Sequence, residues 1–308
     1  MQSIMDNTMQ RLSWPLLLLL GSMASMGCAR KTPDAKPEFS DAVVYLLEHF
    51  DGEESDLAYV LTELEAQIYT SMDVSANQPN DRALTPGRLT EENIATLLRP
   101  DRDPTLAIPV AVAGISTFSP EDHKHIQMLV DHTPVEPYSP NFYMRTFVEG
   151  GDCWLSRGCT VMKTQQDLTK ENVLMTIEYS FPKDFRWINL NAHIPESIPR
   201  WGYLMRAWNE DSFSGENGKN HILQSYSIEM VIPRDGLGFI RDENTVNAGA
   251  GTWTEDSNGG GLLQMLSVWA ETDLGGLNVS DDLVIATTRN GIDKNFKAAH
   301  DWLEDNQP

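Results

Sequence analysis

The sequence predicts an α+β protein in which a helical hairpin precedes an antiparallel sheet and a long C-terminal helix. Apolar residues recur at helical spacing through residues 40–71. From residue 106 onward, runs of β-branched and aromatic residues alternate with turn sequences, which is typical of strands. The segment 290–305 returns to helical spacing, and its apolar stripe consists of Ile292, Phe296, Ala299 and Leu303.

Composition divides the chain into five segments. We predict a signal peptide, a charged tether containing prolines, an acidic helical hairpin, a connector and an α+β domain, at residues 1–27, 28–39, 40–71, 72–105 and 106–305. The connector contains one short predicted helix, "LTEENIATLL", with Thr90 as its N-cap. The last segment is long enough to bury a single hydrophobic core.

The α+β domain begins with a predicted strand, "IPVAVAGISTF", and a helix, "SPEDHKHIQMLVDH". Ser119 is the expected N-cap of that helix and Pro120 its first residue. Strands then dominate, and Asn290 is the expected N-cap of the last helix. The predicted strands are "FYMRTFVE", "TVMKTQ", "VLMTIEYSF", "RWINL", "YLMRAW", "HILQSYSIEMVI", "LLQMLSVWAE" and "DLVIATT".

The N-terminal stretch "WPLLLLLGSMASMGCARKTPDAK" combines five leucines, several small residues and one cysteine. Only eighteen residues separate Arg11 from Arg30, whereas a membrane-spanning helix needs about 20 predominantly apolar residues. The pattern is typical of a secretory signal, and translation from Met9 would give a cleaner basic start. The residues Ser25-Met26-Gly27-Cys28 resemble the lipobox of bacterial lipoproteins.

This resemblance implies that Cys28 is acylated, for example with palmitate, and becomes the mature N-terminus. Two or more acyl chains anchor a protein stably to a membrane. Ala29 follows the cysteine, where the family often carries the aspartate that retains lipoproteins in the inner membrane. The resemblance therefore implies an outer-membrane protein that faces the periplasm. An ordinary signal peptide with an incidental cysteine is the alternative.

Charge excludes one class of partner. The chain contains 45 acidic and 23 basic residues, a formal net charge of −22. Such a chain repels phosphate backbones, which are bound by clustered Lys and Arg, so we expect no nucleic-acid partner. No Lys or Arg lies between Lys36 and Arg82, and we expect the acidic face of the hairpin to be solvated or to contact a protein partner.

Cys153 and Cys159 form an even pair once Cys28 is acylated. Five residues lie between them, and a cell envelope is an oxidising compartment in which disulfides persist. We predict a structural disulfide, which requires a Cα–Cα distance below about 7 Å. Two thiols that never meet are the alternative.

We find no catalytic, metal-binding or cofactor-binding pattern in the sequence. His123 and His125 lie two positions apart in a predicted helix, so they point away from each other and cannot hold one metal ion, even with His132 nearby. The glycines of "NAGAGTWTEDSNGGG" lack the third glycine and the following helix of a dinucleotide-binding motif, so this segment is predicted to be a loop. We expect no metal, no cofactor, and binding rather than catalysis.

The order of elements from 106 to 305 resembles the helix-grip fold of the START and polyketide-cyclase superfamily. In that fold a curved sheet wraps around a terminal helix and encloses a hydrophobic cavity between them. The resemblance therefore implies binding of a lipid or another apolar ligand. Four aromatic residues in predicted strands are candidates for the cavity wall: Trp187, Trp208, Tyr226 and Trp269.

The alternative is a non-catalytic scaffold or assembly lipoprotein, with a solid β domain and a partner bound to the acidic hairpin. A closed apolar cavity of at least about 300 Å³ between the sheet and the last helix would favour ligand binding. A filled core would favour the scaffold.

The lipobox assignment is tested by cell fractionation. We expect Cys28→Ser to release the protein from the membrane fraction, because the acyl chains supply its membrane affinity. Cys153→Ser is the matched control and should leave the protein in the membrane fraction. Continued membrane association of the Cys28→Ser variant would show that the anchor lies elsewhere in the chain.

Overall fold

The computed structural model describes residues 37–71, 84–171, 176–216, 218–234, 237–240, 252–255, 261–276 and 279–306. The predicted signal peptide, with Met9 and Cys28, lies outside these residues. The described residues all belong to one compact unit, Ala35–Pro308. Within this described part of the chain, no helix has the length and apolar character needed to cross a membrane.

The described residues confirm the predicted α+β class. The helices are α1 (Phe39–Glu48), α2 (Glu54–Ser71), α3 (Pro120–Ile126) and α4 (Asp281–Asp305). The strands are β1 (Ile108–Ser116), β2 (Tyr143–Glu149), β3 (Val161–Glu171), β4 (Thr176–Asn189), β5 (Trp201–Trp208), β6 (Phe213–Ser214), β7 (Asn220–Pro233), β8 (Leu237–Ile240), β9 (Thr252–Glu255) and β10 (Leu262–Leu274).

Eight of the described strands form one curved antiparallel sheet. Seven of them follow the order β1-β10-β7-β5-β4-β3-β2, and the short β6 pairs with β7. Strands β8 and β9 form a separate pair. The predicted loop around the glycine-rich segment therefore contains one short strand, β9, among the residues that the structure describes.

The predicted strand "DLVIATT" is wrong, because these residues form the first turns of α4. The Ser280 side chain accepts a hydrogen bond from the Leu283 backbone N–H, and acidic residues in the first turn favour a helix start. The run of β-branched residues imitates a strand, but Ile285 faces the same cluster as Ile292, seven residues later on the helix. Asn290 thus lies inside α4 instead of capping it.

Two further segments differ in detail from the sequence-based expectations. Residues 176–181 of the predicted strand "VLMTIEYSF" and residues 186–189 of "RWINL" lie in one strand, β4, and residues 173–175 lie outside the described part of the chain. Residues 91–97, in the predicted short helix, form successive turns, with hydrogen bonds from Ala95 N–H to Glu92 O and from Leu97 N–H to Ile94 O.

The two faces of the sheet bury different side chains. On β7, the outward-facing Tyr226, Ile228, Met230 and Ile232 join the apolar residues of α1 and α2 in one buried core cluster. Alternation along a strand then directs the intervening side chains, which include Glu229, towards α4. The helical hairpin therefore covers the more apolar face of this strand, and the more polar face is directed towards α4.

Acidic residues of the hairpin region pair with two arginines, one on β5 and one directly before it. Arg206 on β5 contacts Asp51 at 2.9 Å and Asp184 on β4 at 3.1 Å. Arg200 forms an ion pair with Glu65 on α2 at 2.9 Å. Part of the acidic face that the sequence predicts to be solvated therefore attaches the hairpin to the sheet.

Removing Arg206 tests this attachment. Arg206 and Asp184 are only 5% and 10% exposed, so Arg206→Met leaves a buried carboxylate without its partner. We expect a loss of about 3 kcal/mol in the free energy of unfolding, measured by urea denaturation. Asp51→Asn is the control. Asp51 is 69% exposed, and exposed pairs contribute at most about 1 kcal/mol. Equal losses in the two variants would contradict this assignment.

Candidate functional site

A cavity of about 320 Å³ lies between the inner face of the sheet and α4. Apolar side chains from both sides contribute to its wall, including Phe181, Leu266 and Val268 of the sheet and Ile292 and Phe296 of the helix. The helix-grip resemblance implies a hydrophobic cavity in this position, and the cavity found there is partly open and has a mixed polar and apolar wall.

Close packing of α4 against β1 bounds one side of this space. A Cβ atom at Gly114 would lie 3.0 Å from the ring of Phe296, so glycine at this position allows the helix to approach the strand. Val110, Val112 and Ile292 are buried in the same contact. The helix therefore lies close to the edge strand, and the cavity extends under its remaining inward face.

The cavity wall also carries five charged side chains. These are Glu136, Arg145, Lys170, Lys183 and Glu229. The Lys183 Nζ atom lies 3.4 Å from a Glu229 carboxylate oxygen, and the two side chains are 18% and 17% exposed. The Asn295 side-chain amide on α4 donates a 2.9 Å hydrogen bond to Glu136. The cavity wall is therefore mixed, with apolar side chains beside polar and charged ones.

Burial changes the ionisation of these groups. It raises the pKa of Glu136, although Lys170 and Lys183 act in the opposite direction. Burial lowers the pKa of Lys183 and lowers that of Arg145 to about 10. The pKa of Lys170 is raised, first by the neighbouring Tyr179 and then by Glu136, against the effect of burial.

Two buried histidines line the same cavity. His123 lies 3.1 Å from the Ser116 hydroxyl, and burial lowers its pKa to about 3. Burial, followed by the charge of Arg145, lowers the pKa of His132. The His132 Nε2 atom has no hydrogen-bond partner among the described residues. Within those residues no three His, Cys, Asp or Glu side chains are grouped so that they could hold a metal ion.

The structure places the four candidate aromatic residues in different surroundings. Trp208 borders the cavity, but its ring packs with the hairpin-side core and lies 5.3 Å from the Arg206 guanidinium. Tyr226 and Trp269 are fully buried in that hairpin-side core. Trp187 belongs to a separate aromatic cluster on the inner face.

The predicted disulfide between Cys153 and Cys159 is confirmed, with a Cα–Cα distance of 5.4 Å. It closes a short loop that carries Trp154, whose ring stacks on Trp187 with 4.9 Å between ring centroids. The Trp187 indole N–H donates a 3.1 Å hydrogen bond to the Trp154 carbonyl. The disulfide thus fixes a loop whose tryptophan fills one end of the inner face.

Sequence reasoning did not identify the charged section of the wall. The signal was nevertheless present in β4, where Tyr179, Phe181, Lys183, Phe185 and Trp187 alternate on one face. A lysine within an otherwise aromatic inward series is costly to bury unless it meets a partner or open space. Such a residue marks either an internal ion pair or a site, and Lys183 contributes to both.

Comparisons with known proteins assign no family. No protein-family model matches the chain, and no curated protein matches it in sequence. A conserved protein from Geobacillus kaustophilus aligns with 8% identity and a TM-score of 0.36, covering 64% of this chain and 96% of that one. The protein TTHA0849 from Thermus thermophilus aligns with 12% identity and a TM-score of 0.34, covering 63% and 94%. Ara h 8.0201 aligns with 13% identity and a TM-score of 0.30, covering 64% and 97%. The description of the fold therefore rests on the observed elements.

The buried histidines give stability a defined pH dependence. The unfolded chain binds a proton to His123 near pH 6.5, whereas the folded protein does so only near pH 3. Because the unfolded state binds more protons in this window, stability falls as the pH is lowered through it. The loss at His123 is about 1.4 kcal/mol per pH unit.

His123→Gln removes this titration and retains a hydrogen-bonding group next to Ser116. We expect urea denaturation between about pH 5 and pH 8 to show a shallower loss of stability for the variant, with the remaining slope due partly to His132. An unchanged slope would mean that His123 is accessible to protons in the folded state.

Proposed function

We propose that this protein is a lipid-anchored protein of the bacterial cell envelope that binds a small, largely apolar ligand between its sheet and α4. The observation that carries the proposal is the cavity of about 320 Å³. Small-molecule sites are concave, mostly apolar and about 300–1,000 Å³ in volume. The cavity is at the lower end of that range, so it suits a small ligand.

The apolar part of the wall favours a ligand over bulk water. Leu266 and Val268 on β10 and Phe296 on α4 are apolar residues that a purely aqueous space would leave hydrated. Polar residues are about as numerous in the wall, and they come from the sheet, from α4 and from the segment 123–136. Such a distribution orients a ligand by its polar group and binds the rest of it by apolar burial.

Two observations disfavour the scaffold alternative. A solid domain would have no cavity between the sheet and α4, and this domain has one. Two acidic residues of the hairpin that would bind a partner, Asp51 and Glu65, form ion pairs with Arg206 and Arg200. The buried apolar residues of the hairpin are likewise covered by the sheet.

The anchoring half of the proposal rests on the resemblance of Ser25-Met26-Gly27-Cys28 to a lipobox. These residues lie outside the described part of the chain, and localisation facing the periplasm is proposed on the same ground. The ligand-binding half is independent of the anchor.

Ligand binding is tested by native mass spectrometry of protein purified from its own membrane. We expect an added mass that disappears on denaturation, and we expect Ser227→Phe to abolish it, because Ser227 lines the cavity and the larger ring would occupy it. Thr169→Phe on β3 is the control. Thr169 does not line the cavity, so this variant should retain the added mass. A bare mass for the unaltered protein across preparations would contradict the proposal.

A further inference from the structure

The cavity differs in charge from the rest of the molecule. Three of its residues are cationic, Arg145, Lys170 and Lys183, and two are acidic, Glu136 and Glu229. The wall therefore has one surplus positive charge when all five groups are ionised, whereas the whole chain has a net charge of −22. A general excess of basic residues cannot explain this surplus, which is a local property of the cavity.

Two of the three cations already have partners. Lys183 is next to Glu229, with 3.4 Å between the charged atoms. The Arg145 guanidinium donates hydrogen bonds to the Gln166 side chain at 3.2 Å and to the Gln127 carbonyl. The hydrogen-bond donors of Lys183 and Arg145 are therefore used, at least in part, by other residues of the protein.

Lys170, the third cation, has no such partner among the residues that the structure describes. Within that part of the chain, no carboxylate lies within 4.0 Å of its amino nitrogen, and this amine forms no hydrogen bond. Its side chain lines the cavity, and its amino nitrogen does not belong to the fully buried unpartnered atoms. The amine is therefore available to a group inside the cavity. A cation in so enclosed a position is costly unless it meets an acceptor.

We infer that the ligand is a short amphiphile bearing one carboxylate and that Lys170 binds this carboxylate while the apolar wall holds the chain. The inference rests on the proposed function, because it identifies the class of ligand for the same cavity. A carboxylate supplies the missing acceptor and balances the surplus positive charge.

The ionisation of the neighbouring groups is compatible with this assignment. The raised pKa of Lys170 keeps its amine protonated at neutral pH. The raised pKa of Glu136 reduces the repulsion that its carboxylate would exert on an anionic ligand. The Asn295 amide, which donates to Glu136, holds that carboxyl group on the α4 side.

The volume limits the length of the chain. Because a water molecule occupies about 30 Å³ of liquid and a methylene group is similar in size, a cavity of this volume accommodates about ten heavy atoms. Decanoate, with twelve heavy atoms, is close to this limit and is a suitable probe. 1-Decanol and decylamine have the same chain with a neutral and a cationic head group.

Isothermal titration calorimetry of the full chain at neutral pH, with each probe below its micelle concentration, separates these head groups. We expect decanoate to bind about tenfold more tightly than 1-decanol, because a charge-assisted hydrogen bond is added to the same apolar burial. Decylamine should bind more weakly than either of the other two.

Lys170→Met should abolish the preference for decanoate and leave the affinity for 1-decanol within about twofold. Lys170→Arg keeps the charge and should retain the preference, which protects the test if the methionine variant folds poorly. Lys163→Met is the matched control. Lys163 lies on the same strand, faces outwards and is 50% exposed, so its loss should change no affinity.

The outcomes distinguish the two proposals. Equal binding of decanoate and 1-decanol, or tighter binding of decylamine, would overturn the carboxylate assignment and leave ligand binding in place. A preference for decanoate that survives in Lys170→Met would overturn the role of Lys170. Binding of none of the three probes would contradict both the inference and the proposed function.

Discussion

The apolar contact between the helical hairpin and the outer face of the sheet is the constraint on which the rest of the structure depends. Strands β4, β5, β7 and β10 contribute the apolar side chains of their outer face to this contact. Leu57, Leu61 and Leu64 of α2 belong to the same buried cluster. Burial of this area supplies a core that does not require α4. The inner face can therefore remain partly open and carry polar side chains, because the main hydrophobic core lies on the other face of the sheet.

This division explains how five charged residues can lie inside so acidic a protein. Each charge in an interior position requires a partner, a hydrogen bond or accessible space. Glu229 and Lys183 meet the first requirement, Arg145 and Glu136 the second and Lys170 the third. The arginines on the outer face follow the same rule, since Arg206 is placed between Asp51 and Asp184.

Much of the fold follows from local pattern, and the remainder depends on contacts that no local pattern contains. Alternation predicts β7, and helical spacing predicts α1 and α2, because each element has one buried face. The prediction of a strand at "DLVIATT" was wrong. Its β-branched residues suit a strand locally, but the N-cap at Ser280 and the packing of the helix on β1 stabilise a helix instead. Which face of β7 lines the cavity was likewise undetermined, because the hairpin that covers Tyr226 is remote in sequence. Three of the four aromatic candidates therefore do not line the cavity.

The disulfide loop decides where the inner face is filled and where it is open. Trp154, held between Cys153 and Cys159, stacks on Trp187 and meets Tyr203 edge-on, so aromatic rings occupy that end of the sheet. Arg157 lies over Trp187 at 5.4 Å and covers the cluster from the loop side. These rings are buried against one another, and the cavity of about 320 Å³ lies on the neighbouring part of the inner face, under α4. The aromatic residues thus stabilise one end of the sheet, and the ligand-facing chemistry belongs to the mixed polar and aliphatic wall beside them.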